Sequence, residues 1–265
     1  MADHTVGGRK TALVTGASSG IGKEFARIFG REGYDLILAA RHEGPLADLA
    51  QELERSHGVK ATAIPIDLAA PGAADALFTR TEELGIEVDV LVNNAGFSVG
   101  GAFLDADPRA HHEMLELNVA ALTALARRYL PRMVARGSGG VINLASVGSF
   151  FPTPYSAGYC ATKAYVLSFS EAVAEELAGT GVTVTALCPG ATRTGFASRA
   201  GIESSPMFRR RTLDARGVAE AGYRGFIRGE RVVVTGLGYK LMVFSGRFSP
   251  RGIIVKIAKS MMRAA

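Results

Sequence analysis

The sequence predicts an α/β protein built on one doubly wound parallel sheet with helices on both faces. Three observations carry this. Short, nearly continuous apolar runs recur along the chain, as strands covered on both sides require. Segments with apolar residues at helical spacing alternate with them, at lengths that match βαβ units. The chain has 265 residues, 48% of them hydrophobic, which suits a single large core.

Residues 10–15, KTALVT, read as the first strand. The turn GASSGIG at 16–22 follows, and then a helix with Ile21, Phe25, Ile28 and Phe29 on one side. Strand, glycine turn and helix are the context of a phosphate-binding loop. Glycines let the backbone approach a pyrophosphate, and the helix N-terminus offers free N–H groups. No Gly-Lys-Ser/Thr follows, so this is not a P-loop.

Residues 34–40, YDLILAA, are the second strand, ending beside Arg41. An acid near this point suits a ribose 2′-hydroxyl, whereas an arginine suits a 2′-phosphate. The stretch Ala39-Ala40-Arg41 holds no acid, which favours NADP(H) over NAD(H). A helix over 44–57 and a strand over 60–66 follow, the strand ending in Asp67-Leu68. Next come a helix over 71–84 and a strand over 88–92 that runs into NNAG at 93–96.

Asp107 and Pro108 are a fitting N-cap and first residue for a long helix reaching about Arg136. Gly139-Gly140 read as the end of the next loop, and VINLAS at 141–146 as a strand delivering Ser146. A helix over 159–177, a strand over 182–187 and the turn Pro189-Gly190 complete the pattern, with a last strand over 231–235. Ligands of such sheets bind beyond the carboxyl ends of the strands. The glycine turn, Arg41, Asp67, Asn93, Ser146 and Pro189-Gly190 all fall there.

Ser146 to Lys163 carries the chemistry. Tyr159 and Lys163 are four residues apart, so on a helix they share one face. An ammonium there favours the phenolate and would lower the phenol pKa. Such a phenol exchanges protons with a carbonyl or alcohol oxygen, and the Ser146 hydroxyl could hold the same oxygen. Ser149 is an alternative oxygen donor. Tyr155 and Tyr165 lack a lysine four residues on.

In order and spacing, TGASSGIG at 15–22, NNAG at 93–96, Asn118 in ELNVAAL, Ser146, YCATK at 159–163 and Pro189-Gly190 resemble the short-chain dehydrogenase/reductase family, in its compact branch. The resemblance spans roughly residues 9–236 and implies a Rossmann-type domain. It implies Tyr159 as acid/base and Lys163 as its tuning group and ribose ligand. Ser146 would hold the substrate oxygen, and Asn118 would bend the long helix and support a water-linked proton relay to Lys163. The cofactor set it implies is Thr15, Gly16, Ser18, Ser19, Gly20, Ile21, Gly22, Arg41, Asp67, Leu68, Asn93, Ala95, Gly96, Pro189, Gly190, Thr192 and Thr194, with Tyr159 and Lys163. Homo-oligomers, dimers or tetramers, are usual in this family, often through the two long helices over 108–136 and 159–177.

The expected function is therefore NADP(H)-dependent hydride transfer between the nicotinamide and a carbonyl or secondary alcohol. A non-catalytic cofactor sensor or scaffold on the same fold is the alternative, against which the intact Ser146, Tyr159 and Lys163 speak. Phe97, Val99, Phe103, Phe150, Phe151, Phe196, Met207 and Phe208 lie in loops after the strands. They point to a hydrophobic pocket and a fatty-acyl-like or steroid-like ketone, with Phe97, Phe151 and Phe196 as substrate contacts. The substrate loop is expected over about 191–215.

Domain 1–236 is followed by an extension, 237–265, that mixes apolar with basic residues. From 206 onward thirteen Lys or Arg face three acids, a net charge of +10, leaving −5 for the rest. Around Pro250 the extension divides. Beyond it Ile253, Ile254, Ile257, Ala258 and Met261 form one face, with Arg251, Lys256, Lys259 and Arg263 mostly on another. This is a basic amphipathic helix that could pack on the core or a partner subunit, or lie on an anionic membrane.

No window approaches a spanning helix, and the N-terminus has no apolar signal region, so a cytoplasmic protein is expected, with peripheral membrane contact through the C-terminal helix as the further option. Cys160 and Cys188 lack metal spacing, and the five histidines fall in polar segments, so no metal site is expected. The basic tail has no aromatic stacking platform and suits no nucleic acid.

Overall fold

The computed structural model describes residues 9–209 and 212–262. The chain runs β1 (Thr11–Thr15), α1 (Gly20–Arg31), β2 (Asp35–Ala40), α2 (Glu43–His57), β3 (Ala61–Pro65), α3 (Ala73–Glu83) and β4 (Val90–Asn93). After β4 come α4 (Pro108–Leu115), a π-helical stretch (Glu116–Ala121), α5 (Leu122–Arg136) and β5 (Gly139–Leu144). A short 3₁₀ turn (Val147–Phe150) leads to α6 (Ala157–Glu176) and β6 (Val182–Cys188). Then follow β7 (Thr192–Arg193), α7 (Phe196–Arg199), α8 (Pro206–Arg209), β8 (Leu213–Asp214), α9 (Ala215–Ile227), β9 (Val232–Val234), α10 (Leu237–Gly246) and α11 (Arg251–Met262).

Seven parallel strands form one Rossmann-type sheet in the order β3-β2-β1-β4-β5-β6-β9. The order reverses between β1 and β4, which opens a crevice at their carboxyl ends. Alternation along each strand feeds two cores. Ala12 and Val14 of β1 join Phe25, Phe29 and Leu46 on one face. Leu13 joins Leu77, Leu125 and Met133 on the other. Phe25 and Phe29 are wholly buried, and each such side chain stabilises the fold by roughly 1.5–3 kcal/mol.

Element ends shift by a residue or two from the sequence reading, and two features differ more. Gly139 and Gly140 open β5 instead of ending the loop, and Gly140 pairs with Val90 of β4 and Thr183 of β6. A Cβ on Gly140 would crowd the Thr183 carbonyl, so a residue type that signals a turn here serves close strand packing. The long helix forms over the predicted span, but its middle turn is π-helical. Asp107 caps it as predicted, accepting from the Arg109 N–H at 2.9 Å.

The loop expected over 191–215 is pinned at both ends by a small parallel ladder, Thr192 beside Leu213 and Arg193 beside Asp214. No helix of the described residues is long and apolar enough to cross a membrane. His4, Arg263 and the N-terminal stretch lie outside the described residues.

Candidate active site

The glycine turn between β1 and α1 is shaped by backbone that only glycine adopts freely. Gly16 and Gly20 have φ of 65° and 56°. The Gly16 N–H donates to the Ala39 carbonyl at 2.7 Å. Asn94 Nδ2 donates to the carbonyls of Thr15 (2.8 Å) and Gly16 (3.2 Å), tying the turn to the end of β4. Thr15 Oγ1 accepts from the N–H groups of Asn94 and Ala95, both at 3.0 Å. α1 then begins without a side-chain cap on Ser19, so its first N–H groups face the cleft without one.

Three expected cofactor residues therefore stand behind the cleft wall. Thr15 is 1% exposed and spends its hydroxyl on β4. A Cβ on Gly22 would overlap the Gly16 carbonyl and the Asn94 amide, so Gly22 serves close packing. Asn93 points under the sheet, where its Nδ2 donates to Asn143 Oδ1 at 3.0 Å and to the Leu122 carbonyl at 3.3 Å. Its neighbour Asn94, which sequence reasoning passed over, lines the cleft instead. The readable signal was Asn143 on β5, the register partner of Asn93: a buried amide offers its neighbour a hydrogen-bond acceptor under the sheet.

One cleft of about 610 Å³ collects the remaining cofactor candidates and Ser146. Gly16, Ser18, Ser19, Gly20 and Ile21 line it from the glycine turn. Arg41, Asp67 and Leu68 line one end, and Ala95 and Gly96 the floor. Ser146, Tyr159, Lys163, Pro189, Gly190, Thr192 and Thr194 stand on the other side.

Ser146 leaves β5 in extended backbone, and its Oγ accepts from the Gly148 N–H at 3.0 Å. Ser149 is turned away: its hydroxyl donates to the Lys163 carbonyl at 2.7 Å and accepts from the Ser146 N–H. Ser146 is thus the cleft hydroxyl. The Pro189 carbonyl accepts from the Val147 N–H at 3.0 Å and draws the two loops together.

Tyr159 and Lys163 lie one turn apart on α6. Lys163 is buried, and its Nζ donates to the Leu144 carbonyl at 2.6 Å and lies 5.8 Å from the centre of the Tyr159 ring. Burial pushes the Lys163 ammonium down to about 8. Burial also pushes the Tyr159 phenol up, with the Cys160 thiol adding to the rise and the Ser146 hydroxyl opposing it. The expected net lowering of this phenol by Lys163 is therefore not met; desolvation of the charged form dominates.

Asn118 is fully buried inside the π-helical stretch. Its Oδ1 accepts from the Phe97 N–H at 3.1 Å, and its Nδ2 donates to the Phe97 carbonyl at 2.9 Å and to Thr162 Oγ1 at 3.1 Å. A π turn places one extra residue in the ladder, which frees local groups for such contacts. A Cβ on Gly96 would lie 2.9 Å from Asn118 Oδ1 and 3.6 Å from Lys163 Nζ, so the floor beside the lysine requires glycine.

The far end of the cleft is apolar, lined by Phe97, Phe196, Ile202, Met207, Phe208 and Met262. The Phe196 and Tyr159 ring centres are 5.3 Å apart. Phe151, an expected substrate contact, is not in this wall; it packs on Gly246 of α10. Of the other loop residues, Phe103 is exposed and Phe150 packs on the core near Val166. Sequence reasoning missed Met262 and Tyr239, both from the C-terminal helices. Tyr239 packs on Gly190, and its hydroxyl accepts from the Ala191 N–H at 3.1 Å.

The sequence pattern of the short chain dehydrogenases matches residues 10–203. The chain belongs to that family. A short-chain dehydrogenase from Sphingobium yanoikuyae, solved in complex with NADPH, superposes with a TM-score of 0.82 and 35% identity, covering 92% of this chain and 94% of that one. The bulky-bulky ketone specific alcohol dehydrogenase of Comamonas testosteroni gives 0.77 and 31%, covering 90% and 92%. The ketoacyl reductase HetN of Nostoc sp. is 34% identical over 181 residues, 68% of this chain and 63% of HetN. The chain thus spans under two thirds of that relative's length.

For this short-chain dehydrogenase the cleft fits a dinucleotide on its own observations. Gly16 keeps the turn free of a Cβ, which would meet Asn94 Nδ2 at 2.8 Å, and Gly20 keeps α1 close under Thr194. Arg41 offers a cation at the end of β2, beside Ala39 and Ala40 and no acid.

Proposed function

We propose that this chain is an NADP(H)-dependent reductase of hydrophobic ketones. One observation carries the reading: Ser146, Tyr159 and Lys163 share a cleft with the glycine turn, and that cleft ends in an apolar wall. Arg41 directly after Ala39-Ala40, with no acid at the end of β2 itself, supports NADP(H). The NADPH bound to the Sphingobium enzyme and the bulky ketones of the Comamonas enzyme support the same choice by likeness.

The residues that would hold the dinucleotide are Gly16, Ser18, Ser19, Gly20 and Ile21 at the pyrophosphate, and Arg41, Asp67 and Leu68 at the adenosine end. Lys163, Pro189, Gly190, Thr192 and Thr194 would hold the nicotinamide end. The reduced nicotinamide held there would supply a hydride for the carbonyl carbon. Tyr159 gives its phenolic proton to the carbonyl oxygen as charge builds there, and burial keeps that proton in place at neutral pH. Ser146 donates a hydrogen bond to the same oxygen. The Lys163 ammonium then faces a phenolate and lowers its energy. Asn118 fixes the Phe97 backbone and Thr162 around these groups and would support proton return. Phe97 and Phe196 would flank the substrate.

We place the protein in the cytoplasm, and its two free, buried thiols support a reducing compartment. A homo-oligomer belongs to the same reading; exposed Leu115 and Tyr165 on the long helices are groups such an interface would cover.

The test is NADPH oxidation over ketones of rising apolar size, with Tyr159→Phe as the baseline. Turnover that climbs with apolar size and vanishes in the variant supports the reading. Turnover confined to small polar ketones overturns the hydrophobic substrate. Tight NADPH binding with no turnover favours the sensor alternative. NADH used as well as NADPH, unchanged by Arg41→Ala, overturns the cofactor choice.

A further inference from the structure

The helix α10 is apolar on two opposite sides. Its inner side, Tyr239, Val243 and Gly246, packs on Gly190 and Phe151. Its outer side carries Leu237, Leu241 and Phe244, and Phe248 continues the row just beyond the helix. All four are more than half exposed, at spacings of four, three and four that align them along one stripe. Ile253 and Ile257, one turn apart on α11, are also more than half exposed. A helix apolar on two opposite sides calls for a covering on both, and an exposed apolar stripe of this kind marks an interaction surface.

Charge says what covers it. Residues 237–265 carry six Lys or Arg and no Asp or Glu. By helical spacing Lys240 and Arg247 flank the α10 stripe, and Lys256 flanks Ile253 and Ile257. All three are exposed. A second copy of this face would set cations against cations across a two-fold axis. An apolar stripe bordered by cations matches a bilayer with anionic headgroups, where side chains enter the acyl boundary and ammonium or guanidinium groups meet phosphates.

We propose that α10 and α11 dock the protein on an anionic lipid bilayer through Leu237, Leu241, Phe244, Phe248, Ile253 and Ile257. The same segment reaches the cleft: Tyr239 holds the Ala191 N–H, and the last described residue of α11, Met262, lines the apolar end. Docking depends on the exposed apolar stripe and its flanking charge, whatever carbonyl the cleft accepts.

The experiment is co-sedimentation of the full chain with vesicles of phosphatidylcholine alone and of phosphatidylcholine mixed with phosphatidylglycerol. Two double variants are compared with the natural chain, Leu241→Ser/Phe244→Ser and Lys240→Glu/Arg247→Glu. NADPH binding serves as the check on folding. Binding to the mixed vesicles is expected, weakening with salt and falling at least about tenfold in each variant. No sedimentation with either vesicle overturns the proposal, as does equal binding to both compositions. An oligomer in solution that Leu241→Ser/Phe244→Ser dissociates, without vesicle binding, overturns it in favour of a second copy. Should the serine pair impair folding, the charge-reversed pair, confined to exposed tips, decides alone.

Discussion

The ring of Tyr239 occupies the space that a Cβ on Gly190 would need. A residue of the loop beyond β6 and a residue of the C-terminal helices thus require each other's shape. Gly190→Ala forces the ring or the loop to move, and overpacking of this kind costs roughly 1–3 kcal/mol. The urea midpoint falls accordingly, and the KM for NADPH rises because the same loop lines the cleft. Adding Tyr239→Ala returns part of the loss, so the two changes are non-additive.

Asn118 bonds both backbone groups of Phe97 and the Thr162 hydroxyl from a fully buried position. Asn118→Leu leaves these partners unmet and lowers stability by about 2–4 kcal/mol. Asn118→Asp keeps the acceptor for the Phe97 N–H but loses the donor to its carbonyl. Thermal melts are expected to rank the natural chain first, the aspartate variant second and the leucine variant last.

Lys163 is held below its ordinary range because burial penalises its charge. Unfolding returns the ammonium to water and to an ordinary pKa near 10.4. The unfolded chain therefore binds the proton more tightly, and the folded state is destabilised at every pH below about 8. That penalty fades as pH rises from about 8 towards the ordinary lysine value. Lys163→Met removes the buried charge, so it is expected to gain on the order of 1–2 kcal/mol at neutral pH while losing reductase turnover. The gain shrinks to nothing in strongly alkaline buffer, which denaturation at several pH values measures.

Met262 stands at the apolar end of the cleft, beside Ile202 and Ala197. Met262→Ala shortens that wall. For bulky ketones kcat/KM is expected to fall about tenfold, the loss of roughly 1.4 kcal/mol of apolar contact. Small ketones, held by Ser146 and Tyr159 alone, change less than about twofold. Steady-state kinetics on one large and one small ketone decides it.

The alternation of apolar runs made the sheet legible, because a strand covered on both faces has nowhere to place polar residues. That Ser146, Tyr159 and Lys163 meet in one cleft was legible in their types and spacing, an arrangement that suits few other purposes than the proposed chemistry. The residues behind the cleft wall, Thr15, Gly22 and Asn93, belong to the same motifs but face inward. A motif names a neighbourhood, whereas the direction of each side chain depends on the strand next door, as Asn143 decides for Asn93. The phenol shift was misread because spacing reveals the lysine charge and hides the desolvation. Met262 left no signal at all. Its place follows from where two helices pack after the last strand, and no local pattern encodes that. Phe151 carried a misleading one, since an aromatic in a loop can face a cleft or a helix equally well.

The family pattern ends at residue 203, and the apolar wall is partly built beyond it, by Met207, Phe208 and Met262. The Ser146, Tyr159 and Lys163 side of the cleft thus lies within the family pattern, whereas part of the far wall lies outside it. An inhibitor resembling the cofactor would strike the whole family. One that leaves the dinucleotide half empty and seats a rigid apolar group between Phe208 and Met262 would instead press on the part of the wall that the family pattern leaves unspecified.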